Sequence, residues 1–185
     1  GAQAGVLIKN AEALERMERV DTLVVDKTGT LTEGKPKVVA IVPARGFDEA
    51  EILRLAASVE QASEHPLADA IVRAAKERSI ALSKVEGFDS PTGMGATGKV
   101  DGKTVLLGHS NFLKSAGIDT GPLDEQAERL REDGATVINI AVDGGLAGLF
   151  AIADPIKPST PDALKALASD GIKVIMLTGD NRTTA

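Results

Sequence analysis

Thr22-Leu23-Val24-Val25-Asp26-Lys27-Thr28-Gly29-Thr30-Leu31-Thr32 is the stretch on which the fold turns. Four apolar or β-branched residues run without interruption into an acid, and a polar, glycine-containing loop follows. A short continuous run of this kind predicts a strand buried on both faces, as in a parallel sheet. The same style returns once, at residues 172–177 (IKVIML), and again a polar loop follows, Thr178-Gly179-Asp180. Everything between the two reads differently. The simplest topology is therefore a parallel α/β domain interrupted by an inserted α+β domain. Ligands of open parallel sheets bind beyond the carboxyl ends of the strands. Both polar loops are expected there, with Asp26 and Thr178 at the same end of neighbouring strands.

Upstream, residues 10–20 read as a helix with Leu14, Met17 and Val20 on one side. Downstream, a strand is expected over 37–42, then a helix with Ile52, Leu55, Ala56 and Val59 at helical spacing. Ser63 is placed to cap a second helix carrying Leu67, Ile71 and Ala74. The stretch 85–108 is rich in glycine and β-branched residues, with Asp101-Gly102 as a two-residue hairpin signal. Short helices are expected over 111–116 and 123–131, the second stopped by Gly134. Residues 136–153 predict a second hairpin turning at Asp143-Gly144-Gly145. After Asp154-Pro155, Thr160 is expected to cap a helix with Pro161 at its first position and Gly171 at its end. The inserted block thus covers roughly 34–150 and carries an antiparallel sheet.

Composition narrows the function classes. Hydrophobic residues make up 43% of the 185 and charged residues 26%, enough to build a core. Aromatics are 2%, four Phe with no Tyr or Trp, so the core is aliphatic and few side chains can stack on a base. A net charge of −6 without an offsetting Lys/Arg cluster argues against nucleic acid as a partner. Zero Cys and two separated His exclude a zinc ribbon, a thiol nucleophile and a disulfide framework. No apolar run approaches the ~20 residues of a membrane-spanning helix, and the first ten residues lack the features of a signal peptide. The chain is expected to be soluble.

The loop after the first strand has the parts of a phosphoryl acceptor. A carboxylate at Asp26 can attack a γ-phosphate only where cations and donors offset the phosphate charge. Lys27 supplies a cation, Thr28 and Thr30 supply hydroxyls, and Gly29 lets the backbone turn its N–H groups inward. The string Asp26-Lys27-Thr28-Gly29-Thr30-Leu31-Thr32 resembles, without a departure, the phosphorylation signature of the P-type ATPases. Thr178-Gly179-Asp180-Asn181 is similar to that family's second phosphate loop, and Asp154-Pro155-Ile156-Lys157 to its hinge segment. The resemblance implies that Asp26 forms an aspartyl-phosphate and, with the Thr28 carbonyl, ligates Mg²⁺. It implies that Thr178 and Gly179 bind phosphoryl oxygens, with Asp180 in their surroundings, and that Asp154 and Lys157 belong to the hinge. Soluble phosphatases of the same haloacid-dehalogenase-like fold usually carry a second Asp two residues after the nucleophile. Here that position is Thr28, which cannot act as acid or base near neutral pH.

Within the inserted block, Ser63-Glu64-His65-Pro66-Leu67-Ala68 resembles the signature of the heavy-metal branch. By that match His65, expected in the first turn of its helix, belongs to a nucleotide pocket, and Glu60 corresponds to the family's adenine-contacting Glu. Gly93-Met94-Gly95-Ala96-Thr97-Gly98 precedes a hairpin rather than a helix, so a dinucleotide fingerprint is not indicated. Gly93 and Gly95 instead fit the family's glycine pair, allowing the backbone to approach ATP. Gly108-His109 departs from the usual Gly-Asn, although His109 can still hydrogen-bond.

The implied arrangement is a partial haloacid-dehalogenase-like phosphorylation domain (1–33 and 151–185, truncated) interrupted by a nucleotide-binding domain (34–150). Its cofactors would be ATP and Mg²⁺. Its partners would be the actuator and transmembrane domains of the same protein, with the transported heavy-metal ion, most similar to the copper and silver exporters, bound elsewhere. The segment would be a cytoplasmic domain of an integral membrane protein. Two alternatives stand beside this reading: a soluble phosphatase of the same fold, and a nucleotide-binding module without turnover.

Overall fold

The computed structural model describes residues 18–91 and 93–178. These divide into two compact units, one formed by 18–33 with 156–178 and the other by 34–155. Most of the helix expected over 10–20 lies outside the described residues. Glu18 and Arg19 form a turn and Val20 is irregular, so no helix runs into the first strand.

In the first unit, β1 (Thr22–Asp26) lies parallel to β8 (Lys173–Leu177), in a register that sets Thr22 opposite Lys173 and Asp26 opposite Leu177. The neighbouring parallel strands expected from the two apolar runs are present, and Asp26 and Thr178 stand at the same end. Burial, however, alternates. Leu23 and Val25 are half-buried, while Val24 is 54% and Leu177 59% exposed. The expectation of a strand buried on both faces is not met, because among the described residues nothing covers the second face. The helix preceding β8, α5 (Thr160–Ser169), has Pro161 in its first turn and ends before Gly171, whose φ of 75° turns the chain. It starts at Thr160, with Ser159 in the cap position and no side-chain cap bond. Thr160, expected as the cap, spends its hydroxyl elsewhere.

The second unit is a six-stranded antiparallel sheet in the order β2-β7-β6-β5-β4-β3. Its strands are β2 (Lys37–Pro43), β3 (Val85–Asp89), β4 (Gly95–Val100), β5 (Lys103–Gly108), β6 (Thr136–Val142) and β7 (Gly145–Ala153). Two tight turns join consecutive pairs. Asp101 (φ 50°) and Gly102 (φ 79°) link β4 to β5, and Asp143 (φ 49°) and Gly144 (φ 82°) link β6 to β7. Two residues with positive φ make the turn whose twist matches antiparallel strands. Gly145, read as part of the second turn, already belongs to β7.

Side-chain alternation along β6 sorts four helices onto two faces. Ile138, Ile140 and Val142 join one core with α1 (Glu49–Glu60) and α2 (Pro66–Glu77). Val137 and Ala141 join smaller cores with α4 (Gly121–Glu132) and α3 (Ser110–Ser115). The main core is aliphatic apart from Phe150, as the composition requires, and Ile52, Leu53, Leu55, Ile71 and Phe150 are fully buried. Each such side chain contributes about 1.5–3 kcal/mol of burial. Helix α1 begins at Asp48, whose Oδ1 accepts the Glu51 N–H at 2.9 Å and satisfies one of the orphan amides of the first turn.

The start of α2 differs from expectation. His65, not Ser63, is the cap: its Nδ1 accepts the Leu67 N–H at 3.1 Å, and Pro66 fills the first turn. Ser63 acts one step earlier, its hydroxyl accepting the His65 N–H at 3.3 Å. An imidazole nitrogen at this geometry replaces the usual short oxygen acceptor.

Candidate functional site

At the polar end of the parallel pair, β1 delivers Asp26 as an exposed residue directly before a single wide turn, Lys27–Leu31. Thr28 (ψ 123°) and Gly29 (φ 77°) break the helical geometry inside it. Glycine is required at the second of these, where an L side chain is strained. Thr32 is the pivot of the loop. It is 2% exposed, its Oγ1 accepts the Gly29 N–H at 3.0 Å and donates to the Lys27 carbonyl at 3.2 Å, and its N–H reaches the same carbonyl.

A second strand of chain braces this loop from outside. The Lys157 N–H and the Thr160 hydroxyl both donate to the Leu31 carbonyl, at 3.0 and 2.7 Å, and Thr32 forms an isolated bridge with Ile156. The Lys157 Nζ donates to the Gly29 carbonyl at 2.6 Å. Lys157, read from sequence as a hinge residue, therefore has its side chain on the loop that follows Asp26. Sequence reading gave neither Thr32 nor Thr160 a bracing role, because the contacts that create it, Thr32 with Ile156 and Thr160 with Leu31, lie across more than a hundred residues of intervening chain. Gly179 and Asp180 fall outside the described residues, whereas Thr178 is the half-buried residue that follows β8.

The donors at this loop suit a hard divalent cation such as Mg²⁺. Asp26 is exposed, and the Thr28 carbonyl lies in the chain between those of Lys27 and Gly29, which accept from Thr32 and Lys157. Oxygen donors with room left for water and phosphate are what Mg²⁺ takes.

In the second unit, Asp154 holds the incoming and outgoing ends of the chain together. Its Oδ2 accepts the Gly34 N–H at 3.1 Å and its Oδ1 the Lys35 N–H at 3.0 Å. Arg73, on α2, donates to the Pro36 carbonyl at 2.5 Å and pairs with Asp69 at 3.1 Å. The helix capped by His65 is thereby tied to the start of β2. Nothing in the local sequence marks Arg73; only the packing of α2 on β2 brings it there.

The six residues proposed from sequence for a nucleotide pocket all line one cleft of about 350 Å³: Glu60, His65, Gly93, Gly95, Gly108 and His109. They come from the end of α1, the cap of α2, the loop before β4 and the end of β5. His109 stands at the cap position of α3 without a capping bond. His65 spends Nδ1 on its own helix, so Nε2 carries the proton when the ring is neutral. Burial pushes the Glu60 carboxyl up from 4.5 to about 7, and a hydrogen bond from Ser63 partly opposes this. At neutral pH Glu60 is thus divided between a donor form and an acceptor form. Sequence reading did not single out Ser90, Leu107 or Ile138, which also line the cleft and have no motif to flag them, nor Met94, which lies between the two motif glycines.

The two strand glycines of the cleft have a packing reason that the sequence did not disclose. Gly95 and Gly108 are paired across β4 and β5. A Cβ on Gly95 would lie 2.0 Å from the Leu107 carbonyl oxygen and 2.9 Å from the Phe112 ring; on Gly108 it would lie 2.7 Å from both the Met94 carbonyl oxygen and that ring. The missing side chains therefore make room for Phe112 and the neighbouring backbone. Gly93 has open space around it and is instead required by its φ of 73°.

Residues 20–185 match the family model described as haloacid dehalogenase-like hydrolase. The copper-exporting P-type ATPase of Legionella pneumophila is 55% identical over all 185 residues, and the chain spans only 25% of that protein's length. Among solved structures, a zinc-transporting PIB-type ATPase in its E2.Pi state superposes with a TM-score of 0.85 at 37% identity, covering 99% of this chain and 30% of that one. The catalytic domain of the CPx-ATPase CopB-B, from work on its conformational changes upon nucleotide binding, gives a TM-score of 0.70 at 30% identity, covering 98% of this chain and 63% of that one. The chain belongs to the haloacid dehalogenase-like hydrolase family and, within it, to the heavy-metal P-type ATPases.

Proposed function

We propose that this chain is the ATP-binding, autophosphorylated catalytic module of a heavy-metal cation pump, with copper export as the transport it drives. One observation carries the proposal: six residues spread from Glu60 to His109, chosen from sequence without a structure, line a single cleft. Its volume of about 350 Å³ is within the range of small-ligand sites. The copper-exporting relative and a neighbour studied upon nucleotide binding support the same reading.

In this reading the cleft holds the nucleoside, with Glu60 hydrogen-bonding the base and His65 and His109 offering N–H groups or lone pairs. The Asp26 carboxylate oxygen attacks the γ-phosphorus. A new oxygen–phosphorus bond forms, the bond from that phosphorus to the β–γ bridging oxygen breaks, and ADP leaves with the electron pair. Lys27 offsets phosphate charge, Thr178 and Gly179 take the phosphoryl oxygens, and Asp180 belongs to the Mg²⁺ and phosphate surroundings. Asp26 and Thr28 would hold Mg²⁺, which neutralises charge developing on the transferred group. Lys157, Thr160 and Thr32 keep the acceptor loop in one conformation, which lowers the cost of positioning. Thr28, standing where soluble phosphatases place a catalytic Asp, leaves the aspartyl-phosphate without a local acid or base. The phosphoenzyme then persists until the actuator domain of the pump removes it. In the whole protein the module would face the cytoplasm, linked to transmembrane domains that bind the metal ion. Among the described residues, no helix is long and apolar enough to cross a membrane.

The deciding experiment labels the full-length pump with γ-labelled ATP. Wild type should form an acid-stable, hydroxylamine-sensitive adduct, and Asp26→Asn should form none while still binding nucleotide. Labelling that survives Asp26→Asn would overturn the assignment.

A further inference from the structure

We infer that Met94 is the side chain on which the flat ring of a bound purine rests, an inference that stands on the nucleotide reading of this cleft. A purine presents two apolar faces, and a pocket that binds it through edge hydrogen bonds alone leaves those faces in water. The usual solution is an aromatic side chain. Here no Phe, Tyr or Trp fills that place: the four Phe are Phe47, Phe88, Phe112 and Phe150, and not one of them lines the cleft. Of the two imidazoles that do, His65 is tied through Nδ1 to the Leu67 amide of its own helix, and both are read above as hydrogen-bonding groups. Phe150 is fully buried, Phe47 and Phe88 pack against the main core, and Phe112 belongs to the α3 core.

What the cleft has instead is a thioether. Among the large apolar side chains of the described residues that are left exposed, Met94 is the one that lines the cleft, at 51% exposure. Leu107 and Ile138 also line it, but they are buried, at 0% and 8%, and form its floor. An exposed methionine beside a buried apolar floor leaves a slot with one adaptable wall. Methionine suits that wall, because its unbranched, polarisable chain conforms to a ring and makes favourable sulfur–aromatic contacts.

The loop that carries Met94 is held in place. Its N–H donates to the Pro91 carbonyl at 3.1 Å, and the Ser90 hydroxyl donates to the Gly95 carbonyl at 3.2 Å, closing the segment on itself. Gly93, with φ 73°, makes the reversal that this closure needs. These bonds tie the backbone at Met94, while the residue itself remains 51% exposed.

The test uses this chain with methyl-labelled methionine. ATP, adenosine and inorganic tripolyphosphate are titrated into wild type, Met94→Ala and Met94→Leu. The Met94 methyl resonance should move upfield with ATP and adenosine, by the ring current of the base, and stay in place with tripolyphosphate. Met17 serves as the internal reference. Met94→Ala should weaken ATP and adenosine alike by about 2- to 10-fold, the range expected for a sulfur–aromatic contact. Tripolyphosphate binding should be unchanged, and Met94→Leu should recover most of the loss. Wild type that binds ATP without a Met94 methyl shift, or a Met94→Ala variant that binds ATP as wild type does, would overturn the inference and leave the nucleotide reading standing. Equal weakening of tripolyphosphate would also overturn it, since the role would then lie in the loop's shape. Failure of wild type to bind ATP or adenosine at all would overturn both.

Discussion

Gly95 and Gly108 sit opposite one another in the β4–β5 pair, and the Phe112 ring lies 2.9 and 2.7 Å from where their Cβ atoms would be. Both also line the cleft proposed to take the nucleotide, so one pair of glycines answers a packing demand and shapes that cleft. Gly95→Ala must push against the Leu107 carbonyl, which is backbone and cannot rotate away. We expect it to destabilise the unit by about 1–3 kcal/mol, the usual cost of overpacking, read as a fall in the urea midpoint. Phe112→Ala should not restore Gly95→Ala, because the closer obstacle at 2.0 Å is the carbonyl. Full recovery in the double variant would show that the ring alone demands the glycine.

Glu60 predicts a pH dependence of stability. Its carboxyl titrates at about 7 in the folded chain, above the 4.5 of the exposed group, because burial penalises its charge. The favourable contribution is therefore complete below pH 4.5 and is lost as pH rises through 7. Its full size is about 3 kcal/mol, at roughly 1.4 kcal/mol for each tenfold gain in proton affinity on folding. Urea unfolding of wild type and Glu60→Gln between about pH 5 and 8 checks it, a window that brackets the folded-state titration. The wild-type advantage at the acid end should shrink across that window, and parallel profiles for the two proteins would contradict the assignment.

The Lys157 ammonium on the Gly29 carbonyl predicts a selective loosening. Lys157→Met should raise amide exchange through residues 28–32 and slow phosphorylation of Asp26 in the full-length pump, while leaving ATP affinity of the cleft within about twofold. An exposed hydrogen bond of this kind is worth roughly 0.5–1.5 kcal/mol, so exchange should quicken by about 2- to 12-fold. Unaltered exchange in the loop would show that Thr32 and Thr160 suffice to hold it.

Asp154→Ala removes the acceptor of both the Gly34 and Lys35 N–H groups. Exchange at those two amides should rise sharply, and stability of the second unit should fall by about 1–2 kcal/mol, the scale of losing a carboxylate acceptor. Asp154→Asn should keep one of the two bonds and lie between. If Asp154→Ala left both amides protected, the clamp would be held by Arg73 on Pro36 alone.

Local chemistry determined much of this protein. Two short apolar runs, each ending in a polar loop, were enough to place β1 beside β8 in parallel and to separate the antiparallel block between them. Positive-φ positions at Asp101-Gly102 and Asp143-Gly144 located both tight turns, because a two-residue hairpin admits few residue types. Resemblance to the motifs of a known family picked the cleft residues from Glu60 to His109. Tertiary structure alone decided how those residues are used. His65 became the helix cap where Ser63 was expected, with its Nδ1 accepting the Leu67 amide and Pro66 in the first turn. The Lys157 side chain donates to the Gly29 carbonyl, 128 residues away, a contact that no local pattern marks. The glycines at 95 and 108 answered to Phe112, and burial carried Glu60 to about 7. A residue's type and its neighbours in sequence fix its local options. Desolvation, clash and long-range hydrogen bonds depend on which distant atoms arrive beside it, and only the folded chain brings those together.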